Sequence, residues 1–154
     1  MNSLQIQNLE PEQKNKCFLE LSEIYQKIDS DLSKLEQPCT GCGMCCDFKQ
    51  AEHRLYISSL EFIYLIEHNK LNDFKNNDIC PYRINGKCSV REHRMIGCRT
   101  YFRLHTEKDR EKSEGIYEKY LKELKLLYQK YDIPWEYRDL MGFLQEYSKT
   151  PQSL

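Results

Sequence analysis

Cys39-Thr40-Gly41-Cys42-Gly43-Met44-Cys45-Cys46 sets four cysteines within eight residues, with two glycines at the turns between them. A thiolate at every third residue of a loop lets successive sulfurs converge on one point, which is how short cysteine runs grip Zn²⁺ or an iron–sulfur cluster. Cys39, Cys42 and Cys45 can share one centre. The adjacent Cys46 cannot join them as easily, so the fourth thiol is expected to serve a second ion or a shared edge. Three further cysteines follow at Cys80, Cys88 and Cys98, and an eighth, Cys17, precedes the run.

With Cys17 set aside, two arrangements satisfy the remaining thiols. Two tetrahedral ions sharing one bridging thiolate use all seven, and Cys45 or Cys46 is then the natural bridge. Alternatively, Cys39, Cys42 and Cys45 hold three corners of a [4Fe–4S] cluster, and Cys80, Cys88 or Cys98 closes the fourth. Thiolate suits iron and zinc alike, so the cofactor is either an iron–sulfur cluster, [4Fe–4S] first, or Zn. His53, His68, His93 and His105 are isolated; His53 and His93, nearest the cysteines in sequence, are the ones that could replace a thiol.

The elements that must position these thiols are helical. From about Pro11 to Leu35, Cys17, Phe18, Leu21, Ile24, Tyr25, Ile28, Leu32 and Leu35 recur every three or four positions and form one helix face, ended before Pro38. Cys17 belongs to that stripe, where a small buried thiol is the plain expectation. Arg54 to Ile57 allows a short strand. Ser58-Ser59-Leu60-Glu61 reads as a capping box opening a helix to about His68. Ile84-Asn85-Gly86-Lys87-Cys88 predicts a tight Asn-Gly turn that brings Cys88 back toward Cys80. Gly97, before Cys98, has no side chain to obstruct approach to a metal centre. The segment Arg91 to Ile96 predicts one helical turn on the surface. From about Glu111 to Tyr131, Ile116, Tyr120, Leu124, Leu127 and Tyr128 give the strongest helical periodicity, and Pro134 is expected to start a last helix through Leu140 and Tyr147. The last two helices should form a helical hairpin over about 111–147. The tyrosine stripe is expected to be core rather than a binding surface.

The expected fold is therefore mainly α: one domain over 1–154, a small helical body around an irregular cysteine-rich segment at 39–102 with at most a short hairpin. The length of 154 residues suits a single core. At 40% apolar and 31% charged, with no long apolar run, the composition is that of a soluble chain, and neither a secretory leader nor a membrane partner is expected. A cytoplasmic location follows as an expectation, and there eight cysteines imply metal rather than disulfides. The net charge of −1 argues against nucleic acid as partner. Lys87, Arg91, Arg94, Arg99 and Arg103 crowd around the last two cysteines and would offset the charge of a thiolate centre.

Cys39-x2-Cys42-x2-Cys45-Cys46, then Cys80-Pro81, Gly86-Lys87-Cys88-Ser89-Val90 and Arg94-x3-Cys98-Arg99 resemble the CxxCxxCC family of YkgJ-type cysteine-cluster proteins, a zinc- or iron-chelating domain. The resemblance spans roughly Cys39 to Phe102. Met95 departs from it, the family commonly having proline there. The resemblance implies a metal or iron–sulfur centre at Cys39, Cys42, Cys45, Cys46, Cys80, Cys88 and Cys98, and implies little about activity. One branch with this cysteine pattern is similar to flagellin lysine N-methylases, which keeps an iron–sulfur-dependent modifying enzyme among the readings. Against an enzyme, no glycine-rich nucleotide loop, no CxxxCxxC spacing and no hydrolytic triad is found. The expected function is a metal-binding protein with a redox, sensing or metal-handling role; a structural zinc module for protein contacts is the alternative.

Overall fold

Apolar spacing of three and four residues from Pro11 onward produces α1, Pro11–Leu32, with proline in its first turn, where a missing amide costs nothing. Cys17, Phe18, Leu21, Ile24, Tyr25, Ile28 and Leu32 form its buried face. The structure, a computed structural model, describes residues 3–36, 39, 43–71, 74–75, 77–101 and 106–149. Cys42, Pro38, Arg103 and His105 lie outside them.

The fold is mainly α. After α1 and a 3-10 turn at Met44–Cys46 come β1, Tyr56–Ser58, and α2, Ser59–His68. The capping box forms as expected: the Ser58 side chain accepts from the Glu61 amide at 3.2 Å, and the Ser58 amide donates to the Glu61 carboxylate at 2.9 Å. The hairpin β2, Arg83–Ile84, and β3, Lys87–Cys88, turns through Asn85 and Gly86, whose φ angles of 52° and 77° are those an Asn-Gly turn supplies. A further 3-10 turn at Arg91–His93 leads into α3, Ile96–Thr100, then α4, Glu107–Lys130, β4, Tyr137–Asp139, and α5, Leu140–Lys149.

Three expectations need correction. The helix expected from Glu111 begins at Glu107, because the Thr106 hydroxyl accepts from the Asp109 amide and caps a charged first turn that carries no apolar period. Pro134 does not start a helix. Residues 137–139 run extended as β4 and pair antiparallel with β1, Tyr56 opposite Asp139 and Ser58 opposite Tyr137. In place of a simple helical hairpin, α4 therefore packs on α1 and α3, while α5 packs on α2. The stretch Arg91 to Ile96 is not all surface either: Met95 and Ile96 are buried and anchor α3 in the core.

That core is one continuous apolar cluster to which α1, α2, α4 and α5 all contribute, with Leu21, Ile28, Leu60, Ile63, Leu65, Leu124, Leu140 and Leu144 fully enclosed. Each such side chain stabilises the fold by about 1.5–3 kcal/mol. Tyr120 and Tyr128 are buried, as a helical tyrosine stripe predicts; the Tyr128 hydroxyl accepts from the Leu60 amide at 2.7 Å. Among the described residues no helix is long and apolar enough to cross a membrane.

Candidate metal centre

Two distant stretches of chain are joined here by their backbones. The Cys80 amide donates to the Cys46 carbonyl at 2.9 Å, the Phe48 amide to the Asp78 carbonyl at 2.8 Å, and Asp47 pairs with Ile79 as an antiparallel bridge. Gly43, with φ of 73°, lies directly on the turn of the hairpin: a Cβ there would fall 2.0 Å from the Gly86 carbonyl oxygen. The Arg83 guanidinium completes the junction by donating to the Gly43 carbonyl at 3.0 Å.

This junction aims six cysteines into one cavity. Cys39, Cys45, Cys46, Cys80, Cys88 and Cys98 all line an enclosed space of about 50 Å³, walled elsewhere by Leu55, Leu65, Val90 and Met95. None of the seven described cysteines forms a disulfide with another. Among the described residues, no three His, Cys, Asp or Glu side chains already stand as a set that could hold a metal ion. The sulfurs are gathered, and Cys42, from the middle of the first run, lies outside the described residues. Chemically the donors fit zinc or an iron–sulfur cluster, since the cavity offers sulfur and no carboxylate.

Hydrogen bonds tune the thiols. Cys46 has one proton to share with its neighbours Cys45 and Cys88, and hydrogen bonding from it is the first cause that holds both of their thiols below the ordinary value. Cys46 itself is pushed up, because its proton is the one shared with Cys45 and Cys88, and burial adds to this. The guanidinium of Arg94 favours the thiolates of Cys45 and Cys88, and Arg91 adds to this at Cys88. Backbone amides contribute as well: Val90 donates to the Cys88 sulfur, and Tyr82 and Arg83 to Cys80. Even so, burial pushes Cys80 up to about 12 and holds Cys98 high. A protein interior cannot hold this many bare thiolates; a cation taken up among them would replace the protons.

Of the basic cluster, Arg91 and Arg94 line the cavity. Arg99 does not. It is buried, donates to Asp29 at 2.6 Å and to the carbonyls of Arg94 and Glu92 at 2.6 Å each, and lies 4.3 Å above the Tyr25 ring. Its charge is spent on binding α3 to α1. Gly97 lines the cavity next to Cys98, and α3 passes close to the chain entering β1 there: a Cβ would meet the tip of the Leu55 side chain at 2.8 Å and the Tyr56 carbonyl oxygen at 3.4 Å.

His53 lines the cavity, donates from Nε2 to the Cys45 carbonyl at 2.8 Å and stacks on Tyr101 with ring centroids 4.2 Å apart. His93 packs instead against His68 and Tyr64, with Nδ1 3.0 Å from the Asn69 side chain. Cys17 is fully buried in α1, where burial raises it to about 12. Comparison with protein-family models, with curated proteins and with solved structures found no match.

Proposed function

We propose that the chain is a thiolate metal-binding protein that holds an iron–sulfur cluster or zinc through Cys39, Cys42, Cys45, Cys46, Cys80, Cys88 and Cys98. The observation that carries this reading is the convergence of six of these cysteines, from two segments more than thirty residues apart, on one cavity that offers six sulfurs and no carboxylate. The cysteine spacing resembling the CxxCxxCC family supports the same ligands. Bound iron and sulfide would supply one-electron chemistry; bound zinc would supply a rigid cross-link. The chain's own contribution is to gather the sulfurs, to favour their ionised forms through Arg91 and Arg94, and to exclude water with Leu55, Leu65, Val90 and Met95. A reducing compartment such as the cytosol fits thiols kept for metal.

Anaerobic purification, metal analysis and an absorption spectrum test the proposal. Visible absorption with iron and sulfide supports a cluster. A colourless protein with tightly held zinc supports the structural alternative, and a folded, metal-free protein overturns both.

A further inference from the structure

We propose that the open groove beside the cysteine cavity binds a small organic cation bearing an alkylated ammonium group. The groove, of about 240 Å³, is bordered by Tyr56, Tyr101, Tyr117, Tyr137, His53 and Glu114. It shares His53, Leu55, Gly97 and Tyr101 with the cysteine cavity, so these residues stand between the two spaces. That the ligand is presented to a metal centre rests on the function proposed above; the binding itself does not.

The ligand's charge follows from which polar groups the fold has already used. The Thr100 hydroxyl donates to the Ile96 carbonyl at 2.8 Å, and the Ser113 hydroxyl to the Thr100 carbonyl. The hydroxyls of Tyr117 and Tyr137 pair with one another. Arg54, the groove's cation, is held by Asp139 at 2.7 Å. A carbonyl only accepts, so the His53 Nε2–H is already committed to Cys45. Among the described residues, what the groove still offers is the exposed carboxylate of Glu114 and tyrosine surface, including Tyr56, half of which is exposed. Carboxylate and π faces attract cations, and a quaternary or tertiary ammonium sheds its weakly held water readily against aromatic rings. Among the described residues bordering the groove, the one guanidinium, that of Arg54, is already paired with Asp139.

The one tryptophan of the chain, Trp135, stacks on Tyr137 at 5.7 Å and reports occupancy by its fluorescence. Choline and its uncharged carbon isostere are titrated into the full chain, purified anaerobically, with metal assayed on the same sample. Saturable binding of choline, preferred over the isostere by about tenfold or more, is expected. Glu114→Gln, at an exposed helix position that leaves the fold intact, should weaken choline several-fold without changing metal content, and Tyr56→Leu should do the same. No saturable response, equal binding of the isostere, or unchanged affinity in Glu114→Gln overturns the inference. Metal-loaded protein that ignores choline overturns the groove alone; metal-free protein that binds choline overturns the metal reading alone.

Discussion

A Cβ placed on Gly43 would stand 2.0 Å from the carbonyl oxygen of Gly86, so the loop carrying Cys45 and Cys46 and the hairpin carrying Cys88 touch backbone to backbone. Neither partner is a flexible side chain that could swing aside. The approach of the two cysteine segments is thus set by the absence of a side chain.

Gly43→Ala should therefore separate the segments. The substitution is strained twice, by the clash and by a φ of 73°, which alone costs an L-residue about 1 kcal/mol. Metal content should fall together with the denaturation midpoint. Gly86→Ala, where a Cβ would meet nothing closer than 4.0 Å, should cost only the strain of its φ of 77° and keep most of the metal.

Cys88→Ser removes a sulfur that accepts from Cys46 and faces Arg94, and should empty the centre and destabilise the fold in one step. Cys42→Ser is expected to do the same. Cys17→Ser puts a hydroxyl at a fully buried site in α1 and should lower stability by about 1–3 kcal/mol while metal stoichiometry stays unchanged. Metal analysis of the three purified variants separates ligand from core. Loss of metal in Cys17→Ser would overturn its assignment to the core.

Acid should loosen the packing of α1 on α4. Asp31 is held below its ordinary range first by the Tyr120 hydroxyl at 2.7 Å, and Glu20 first by Lys130 at 2.6 Å, with Tyr131 adding a second bond at 2.7 Å. With folded pKa values below the unfolded values of 3.8 and 4.5, the unfolded chain binds more protons in acid. Their stabilisation is fully present above those values and is lost as pH falls through the folded ones. Unfolding followed from pH 7 to pH 3 should show this slope, and Tyr120→Phe combined with Tyr131→Phe should flatten it.

Arg99 should resist conservative replacement. Lysine cannot serve Asp29 and two carbonyls from one planar head while lying over Tyr25, so Arg99→Lys should cost about 2–4 kcal/mol and detach α3, with the Cys98 it carries. Thermal unfolding and metal content, measured together, check this.

Glu61 is a second such anchor. Fully buried, it accepts from the Ser58 and Ile96 amides at 2.9 and 2.8 Å and from the Tyr25 hydroxyl at 3.4 Å, joining α2, α3 and α1. Glu61→Ala strands these donors and should cost about 2–4 kcal/mol. Desolvation raises its pKa, so the sign is opposite to that of Asp31: its contribution is fully present below the unfolded value and is lost as pH rises through the folded one. A Glu61→Gln variant should remove that neutral-side slope in chemical denaturation.

The sequence by itself determined the helices whose apolar period is uninterrupted, the capping box at Ser58 and Glu61 and the Asn85-Gly86 turn, because each is local chemistry readable within a few residues; it named the cysteines by their spacing, and the fold brings six of them to one cavity. It also marked Cys17 as core by the stripe it sits in. Tertiary structure alone decided the rest. The pairing of β4 with β1 rests on hydrogen bonds between residues about eighty positions apart, and no short window of Pro134 to Asp139 carries that information. Arg99 and Arg94 look alike in a basic cluster, yet one is buried against Asp29 and the other lines the thiol cavity, since only packing chooses which charge is enclosed. The contact of Gly43 with Gly86 is of the same kind: two small residues permit close approach anywhere, and only the folded chain makes these two meet.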